Sequence, residues 1–276
     1  MMKKIIALAL ALAMMLSFAA CATKEAPAEA AATAAAATID MSAVKLMQDG
    51  VLTVGMEIGY PPFEDFAEDG TTPIGYDVDF AKALGEKLGV TVNFVNTAWD
   101  GIFQGIGVNY DCVISAVTIT EERKASMLFS EPYINNYQAV VVKKDFAGKI
   151  GSFMDLNNMA IAVQKETTSD ILMSDYVSTG SITATISANE KITTCFTQLE
   201  NGEVDAVVVD STVADGYLAS NPDKFVKAFQ DESEPEQFGV AMALDNTALQ
   251  AAINEAIALL TAEGFFEANV AYWFGK

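Results

Sequence analysis

Residues 76–89 read YDVDFAKALGEKLG, and this stretch sets the class of the fold. Val78, Ala81, Leu84 and Leu88 recur at intervals of three and four, which puts them on one face of a helix. Asp77 is placed to cap its start and Gly89 to end it. The flanks have a different texture. VLTVGME at 51–57 is a short apolar strand, and VTVNFVN at 90–96 alternates with period two. DGIFQGIGVN at 100–109 suits a short helix and YDCVISAVT at 110–118 a buried strand. Strand, helix, strand, helix, strand predicts a parallel sheet covered by helices.

A second series follows SEPYINNY (130–137). AVVVKK (139–144), MAIAVQ (159–164), ITATIS (182–187) and VDAVVVD (204–210) are strand candidates, with helices expected near 167–177 and 189–201. Residues 221–237 form a polar, proline-containing stretch. FGVAMAL (238–244) is a last strand, and helices fill the C-terminal part. Two β/α series in one chain predict two lobes. Ligands of open α/β sheets bind beyond the carboxyl ends of the strands, so facing lobes would enclose a cleft.

Composition narrows the function. The chain has 276 residues, a net charge of −21 and no histidine, with a pI near 4.1. The acidity opposes nucleic acid, whose phosphates need a basic footprint, and a polybasic membrane contact. Without histidine, Ser-His-Asp and Cys-His catalysis are excluded, and no zinc site is expected. Cys21, Cys112 and Cys195 have no metal or redox spacing. Cys112 and Cys195 lie in apolar patterns and read as buried small residues. Neither metal nor cofactor is expected.

The first 21 residues, MMKKIIALALALAMMLSFAAC, place Lys3 and Lys4 before an apolar run that is short for a membrane span. That is a signal peptide pattern over 1–20. The cysteine directly after Ala19 and Ala20 resembles the lipobox of bacterial lipoproteins, although Phe18 stands where leucine is usual. It implies cleavage before Cys21 and a lipid on that residue. The alanine-rich residues that follow have no face to pack, so 21–50 is read as lipidated cysteine plus tether.

ITEERKAS (119–126) holds Arg123, the only arginine in the chain. Thr120 suits a helix N-cap, and Glu121 and Glu122 suit the positive end of the helix dipole. A cation there gains nothing from the dipole, whereas a guanidinium grips a carboxylate bidentately. Arg123 therefore reads either as an anion ligand or as a surface arginine paired with a nearby glutamate. Asp210, after a buried strand, is either a cleft carboxylate or a helix cap. Glu57, Tyr60 and Phe63 lie in MEIGYPPF, where a Pro-Pro loop could form a rigid wall. Trp99, in TAWDG, could stack on a ligand or plug the core.

The ordered segments GYPPF, GYDVDFAKALGEKLG, WDGIF, YDCVISAVTITEERK, FSEPY, VDAVVVD and YWFG resemble the extracellular solute-binding proteins of polar amino acid ABC transporters. The resemblance spans nearly all of 51–276. It implies the type II periplasmic-binding-protein fold, with two parallel-rich sheets, a ligand cleft and two crossing hinge strands. Lobe one would comprise 51–140 and 236–276, and lobe two 141–235. Arg123, helped by Thr118 and Thr168, would bind the α-carboxylate of a free amino acid. Asp210 and the carbonyl of Ala116 would take the α-ammonium. Tyr60 and Trp99 would sandwich the side chain, and Glu57 and Gln164 would reach its tip. Family members often carry glycine where this chain has Ala116 and Glu166. The carboxylate and the aromatic pair suit a cationic side chain, arginine or lysine before glutamine or other polar residues. The implied partner is an ABC permease with its ATPase, the implied location of this chain is the outer face of the cell membrane or the periplasm, held by the lipid anchor, and the implied state is a monomer. The same fold also hosts cyclohexadienyl dehydratases, and a ligand-sensing module is a third possibility.

Overall fold

The computed structural model describes residues 39–146 and 148–275. The signal peptide stretch, Cys21 and the alanine-rich 22–38 lie outside the described residues. Residues 39–50, grouped with the tether by the sequence reading, lie against the folded body. Ile39 is buried, and Met41, Val44 and Leu46 pack on the same core. The Met47 backbone N–H donates to Asp111 Oδ1 at 2.7 Å.

Two five-stranded sheets organise the rest. The first runs Thr91–Asn96, Val51–Met56, Cys112–Val113, Ala241–Met242 and Leu128–Phe129. Its first three strands are parallel, and Ala241–Met242 is antiparallel to both of its neighbours. The second runs Thr185–Asn189, Ala160–Gln164, Ala206–Asp210, Gln138–Lys143 and Phe225–Gln230. Its first three strands are parallel, and Gln138–Lys143 is antiparallel to both of its neighbours. The chain leaves the first sheet through Ile134–Asn136 and returns through Glu236–Phe238. Those two strands pair antiparallel with each other. The architecture is the two-lobed type II arrangement, with two crossing strands between the lobes.

Local chemistry explains these elements. Leu52, Val54 and Met56 have no exposed surface, because a central parallel strand is covered on both faces. Helix Tyr76–Leu88 buries Val78, Ala81, Leu84 and Leu88, and Gly89 ends it in a left-handed conformation (φ 67°). Truncating Leu84 to alanine would cost about 2–5 kcal/mol. The helix starts two residues earlier than a cap at Asp77 requires, with Gly75 in the N-cap position. Gly75 has φ 138°, and a Cβ there would collide with the Phe63 carbonyl oxygen. Asp77 is instead buried, accepting from the Ala116 N–H at 2.7 Å and the Tyr133 hydroxyl at 3.0 Å. Tertiary partners outbid the cap because only they lie in a site without water.

Some elements differ from expectation. The short helix at 100–109 is one 3₁₀ turn, Ile102–Gly105. The strand expected over 110–118 shrinks to Cys112–Val113. The polar stretch 221–237 contains the edge strand Phe225–Gln230, whose side chains beyond Phe225 are partly or fully exposed. Cys112 and Cys195 are both buried free thiols.

Candidate ligand-binding cleft

The carboxyl ends of strands from both sheets meet around one nearly closed cavity of about 10 Å³, room for about one water molecule, so a ligand enters only when the lobes part. Its walls include all nine cleft residues named from the sequence: Glu57, Tyr60, Trp99, Ala116, Thr118, Arg123, Gln164, Thr168 and Asp210. Ser115 and Thr167 also line it.

Arg123 enters from the short helix Glu121–Lys124. Thr120 caps that helix by accepting from the Arg123 backbone N–H at 3.1 Å. The guanidinium Nη1 donates to the Thr118 carbonyl oxygen at 2.9 Å. Its Cζ lies 5.5 Å from the Trp99 ring centroid and 5.2 Å from that of Phe103, within cation–π range. No carboxylate among the described residues comes within 4.0 Å of it. Burial lowers its pKa, while the charges of Asp210 and Glu236 raise it.

Asp210 closes the strand Ala206–Asp210 and holds the N-cap position of helix Ser211–Ser220, yet its side chain makes no cap bond. Its Oδ2 accepts from the Tyr60 hydroxyl at 2.5 Å. Its Oδ1 accepts from Asn136 Nδ2 at 2.6 Å and Gln138 Nε2 at 3.1 Å. Burial, with Glu236 nearby, pushes its pKa up to about 7 against the pull of those three hydrogen bonds.

Glu57 follows the strand Val51–Met56 and is 4% exposed. Its backbone N–H donates to Ser115 Oγ at 3.0 Å, and its Oε2 accepts from Gln164 Nε2 at 2.6 Å. Burial raises its pKa to about 7, opposed by the Gln164 hydrogen bond and by Lys191. No lysine or arginine among the described residues lies within 4.0 Å of Glu57 or Asp210. The cavity therefore presents two carboxyl groups and one guanidinium, none of them in an ion pair within 4.0 Å among the described residues.

The aromatic walls are held by polar tips. Tyr60 is anchored through its bond to Asp210, and Trp99 Nε1 donates to the Glu166 carbonyl oxygen at 3.2 Å. Ala116 and Glu166 both have positive φ, 48° and 62°, a conformation that costs a residue with a side chain. These are the two positions where the resembling family often has glycine. The Glu166 side chain is exposed, 3.9 Å from Lys165.

Asn136, Gln138 and Glu236 escaped sequence reasoning. They sit on or beside the crossing strands, where no periodicity marks a residue as facing the cleft. Glu236 Oε2 accepts from both amides, at 3.0 Å and 3.1 Å.

The comparisons agree with this arrangement. A family described as bacterial extracellular solute-binding proteins, family 3, matches residues 52–276. The chain is 31% identical over 231 residues to the ABC transporter arginine-binding protein 1 of Escherichia coli strain K12, covering 81% of this chain and 90% of that protein. It is 32% identical over 232 residues to the L-cystine-binding protein TcyJ of the same strain, covering 84% and 85%. Among solved structures, an ancestral arginine-binding protein bound to glutamine superposes with a TM-score of 0.76 at 35% identity, covering 83% of this chain and all of the other.

Proposed function

This chain belongs to the bacterial extracellular solute-binding proteins of family 3, and from that premise we propose that it captures a free polar amino acid for an ABC importer. The observation that carries the reading is the unmatched charge of the cavity. Arg123 calls for an anion, while Asp210 and Glu57 call for cations. A zwitterion with a cationic side chain supplies one carboxylate, one ammonium and one further positive charge. Arginine or lysine is therefore the favoured ligand, and glutamine or another polar amino acid comes next.

The α-carboxylate lies against Arg123, Thr118 and Thr168. The α-ammonium takes Asp210 and the Ala116 carbonyl. Tyr60 and Trp99 cover the side chain, and Glu57 and Gln164 receive its tip. Ligand groups bridge residues of both lobes, so binding energy goes into the closed state. The closed form docks on a membrane permease, whose partner ATPase drives import. The chain acts as a monomer and does not turn its ligand over. Cleavage before Cys21 and acylation of that cysteine hold it outside the cell membrane. Globomycin that left precursor size unchanged would sink the lipid anchor.

The test is a thermal-shift panel of the twenty amino acids on protein lacking residues 1–21, refolded to strip carried ligand. A ligand at a hundredfold its Kd adds about 2.7 kcal/mol, or roughly 5–10 °C in a chain of this size. A shift with arginine or lysine supports the whole assignment. A shift with glutamine keeps the function and overturns the role of Glu57. No shift with any amino acid overturns the reading.

A further inference from the structure

Glu236 stands where both lobes and the hinge meet. It opens the returning strand Glu236–Phe238, which belongs to neither large sheet. Its Oε2 accepts from four donors. Asn136 Nδ2 on the other hinge strand and Gln138 Nε2 lie at 3.0 Å and 3.1 Å. Thr118 Oγ1 from the first lobe and Thr168 Oγ1 from the second lie at 3.3 Å and 3.4 Å. A carboxylate oxygen offers about two lone-pair sites, so this acceptor is overcrowded. The two threonines are its longest and weakest partners, and they are the ones most easily released.

Thr118 and Thr168 are also the hydroxyls assigned above to the ligand's α-carboxylate, and the inference rests on that assignment. We propose that Glu236 is a tethered carboxylate that competes with the ligand's α-carboxylate for Thr118 and Thr168, and so limits how tightly the ligand is held. The competition is partial. Glu236 makes no ion pair within 4.0 Å with Arg123, so the guanidinium stays available to the ligand. When the ligand takes the hydroxyls, Glu236 keeps Asn136 and Gln138 but sits beside a second negative charge. That like-charge contact weakens the complex. A carrier must also let go at the permease, and an internal carboxylate reclaiming the hydroxyls favours release.

The opposite role is chemically definite. Asn136 and Gln138 bridge Glu236 to Asp210. If Glu236 served only to hold those amides in place for the ammonium end, removing it would weaken binding.

Calorimetry on Glu236→Ala and Glu236→Gln separates the two. The ligands are L-arginine, L-glutamine and their α-amides, which lack the carboxylate. Glu236→Ala is expected to tighten binding of the better amino acid roughly tenfold, as for one charged hydrogen bond. Glu236→Gln, neutral but still an acceptor, is expected to fall between. The α-amides should gain nothing. Unchanged or weaker binding by both variants overturns the proposal, as does an equal gain for the α-amides. Should Glu236→Ala not fold, Glu236→Gln carries the same comparison. If wild-type protein binds none of the twenty amino acids, the assignment of the threonines falls and the inference falls with it.

Discussion

Gln164 Nε2 lies 2.6 Å from Glu57 Oε2, a hydrogen bond between the carboxyl ends of two strands that belong to different sheets. It has company across the cleft. The Tyr60 hydroxyl meets Asp210, Trp99 meets the Glu166 carbonyl, and Lys165 Nζ lies 3.0 Å from Asp100 Oδ2. The lobes are thus joined by groups that line the cavity as well as by the crossing strands, so whatever engages Glu57 or Asp210 acts directly on closure.

Arg123 is expected to be irreplaceable by lysine. Lysine keeps the charge but loses the planar fork and the guanidinium's approach to the Trp99 and Phe103 rings. A buried charged hydrogen bond contributes ~1.5–3 kcal/mol, so Arg123→Lys should lose at least about tenfold in affinity. Calorimetry with the preferred amino acid checks this, and unchanged affinity would falsify the assignment of Arg123 to the α-carboxylate.

Glu57→Gln should redirect the preference of the cleft. The amide is similar in size but no longer demands a cation, and Gln164 beside it can reorient to pair with it. Affinity for arginine is expected to fall by roughly tenfold or more, with glutamine affected far less. Competition between the two amino acids reads the ratio directly. A ratio equal to that of wild type would place the ligand's side chain elsewhere.

Stability and binding should respond to pH in opposite directions. Glu57 and Asp210 each sit at about 7, against ordinary values of 4.5 and 3.8. Burial pushes Asp77 up to about 7 and raises Glu64 as well. From the ordinary values up to about 7 these groups hold more protons folded than unfolded. Their contribution to stability is therefore greatest at acid pH and is lost as the pH rises through that window. The ligand-free protein should melt higher at about pH 5.5 than at about pH 8. A cationic ligand favours the charged carboxylates, so its binding expels protons and should tighten over the same interval. Calorimetry in buffers of different ionisation heat counts the protons. Proton uptake on binding would contradict the charge-matching account.

Gly216 offers a test of closure itself. It lies on helix Ser211–Ser220 of the second lobe, and a Cβ there would fall 2.6 Å from Pro62 Cδ of the first. Alanine suits a helix better than glycine does, so Gly216→Ala should leave the melting temperature of the ligand-free protein intact or raise it slightly. The added methyl would wedge the lobes apart and weaken ligand binding. Small-angle scattering should show less compaction on adding ligand than in wild type. Full affinity and full compaction would mean that the lobes close without bringing helix and loop together.

Much of the fold is legible in the sequence because its signals are local. The spacing of Val78, Ala81, Leu84 and Leu88 needs only its own helix, and Gly89 stops that helix through its own backbone freedom. Thr120 caps the turn that carries Arg123, three residues away, as its hydroxyl and position imply. Asp77 shows where local logic ends. A good capping residue by type, it is drawn instead to Ala116 and Tyr133, far away in sequence. The edge strand Phe225–Gln230 hid in a polar stretch because an edge strand exposes most of its side chains and so lacks the pattern of a buried one.

By itself the sequence determined most of the order of strands and helices, the end of the helix at Gly89, the acidic character that opposes nucleic acid, and the residue types able to grip a zwitterion. Those properties depend on near neighbours and on composition, which the chain carries wherever it folds. Only the tertiary structure decided that Glu57 and Gln164, more than a hundred residues apart, share a hydrogen bond. It also decided that Arg123 faces the cleft without an ion pair within 4.0 Å among the described residues, and that Glu236 shares its acceptor oxygen among both lobes and the hinge. The reason is physical: the demand of a buried charge is set by what surrounds it in space, and the crossing of the chain between two sheets brings together groups that no local rule relates.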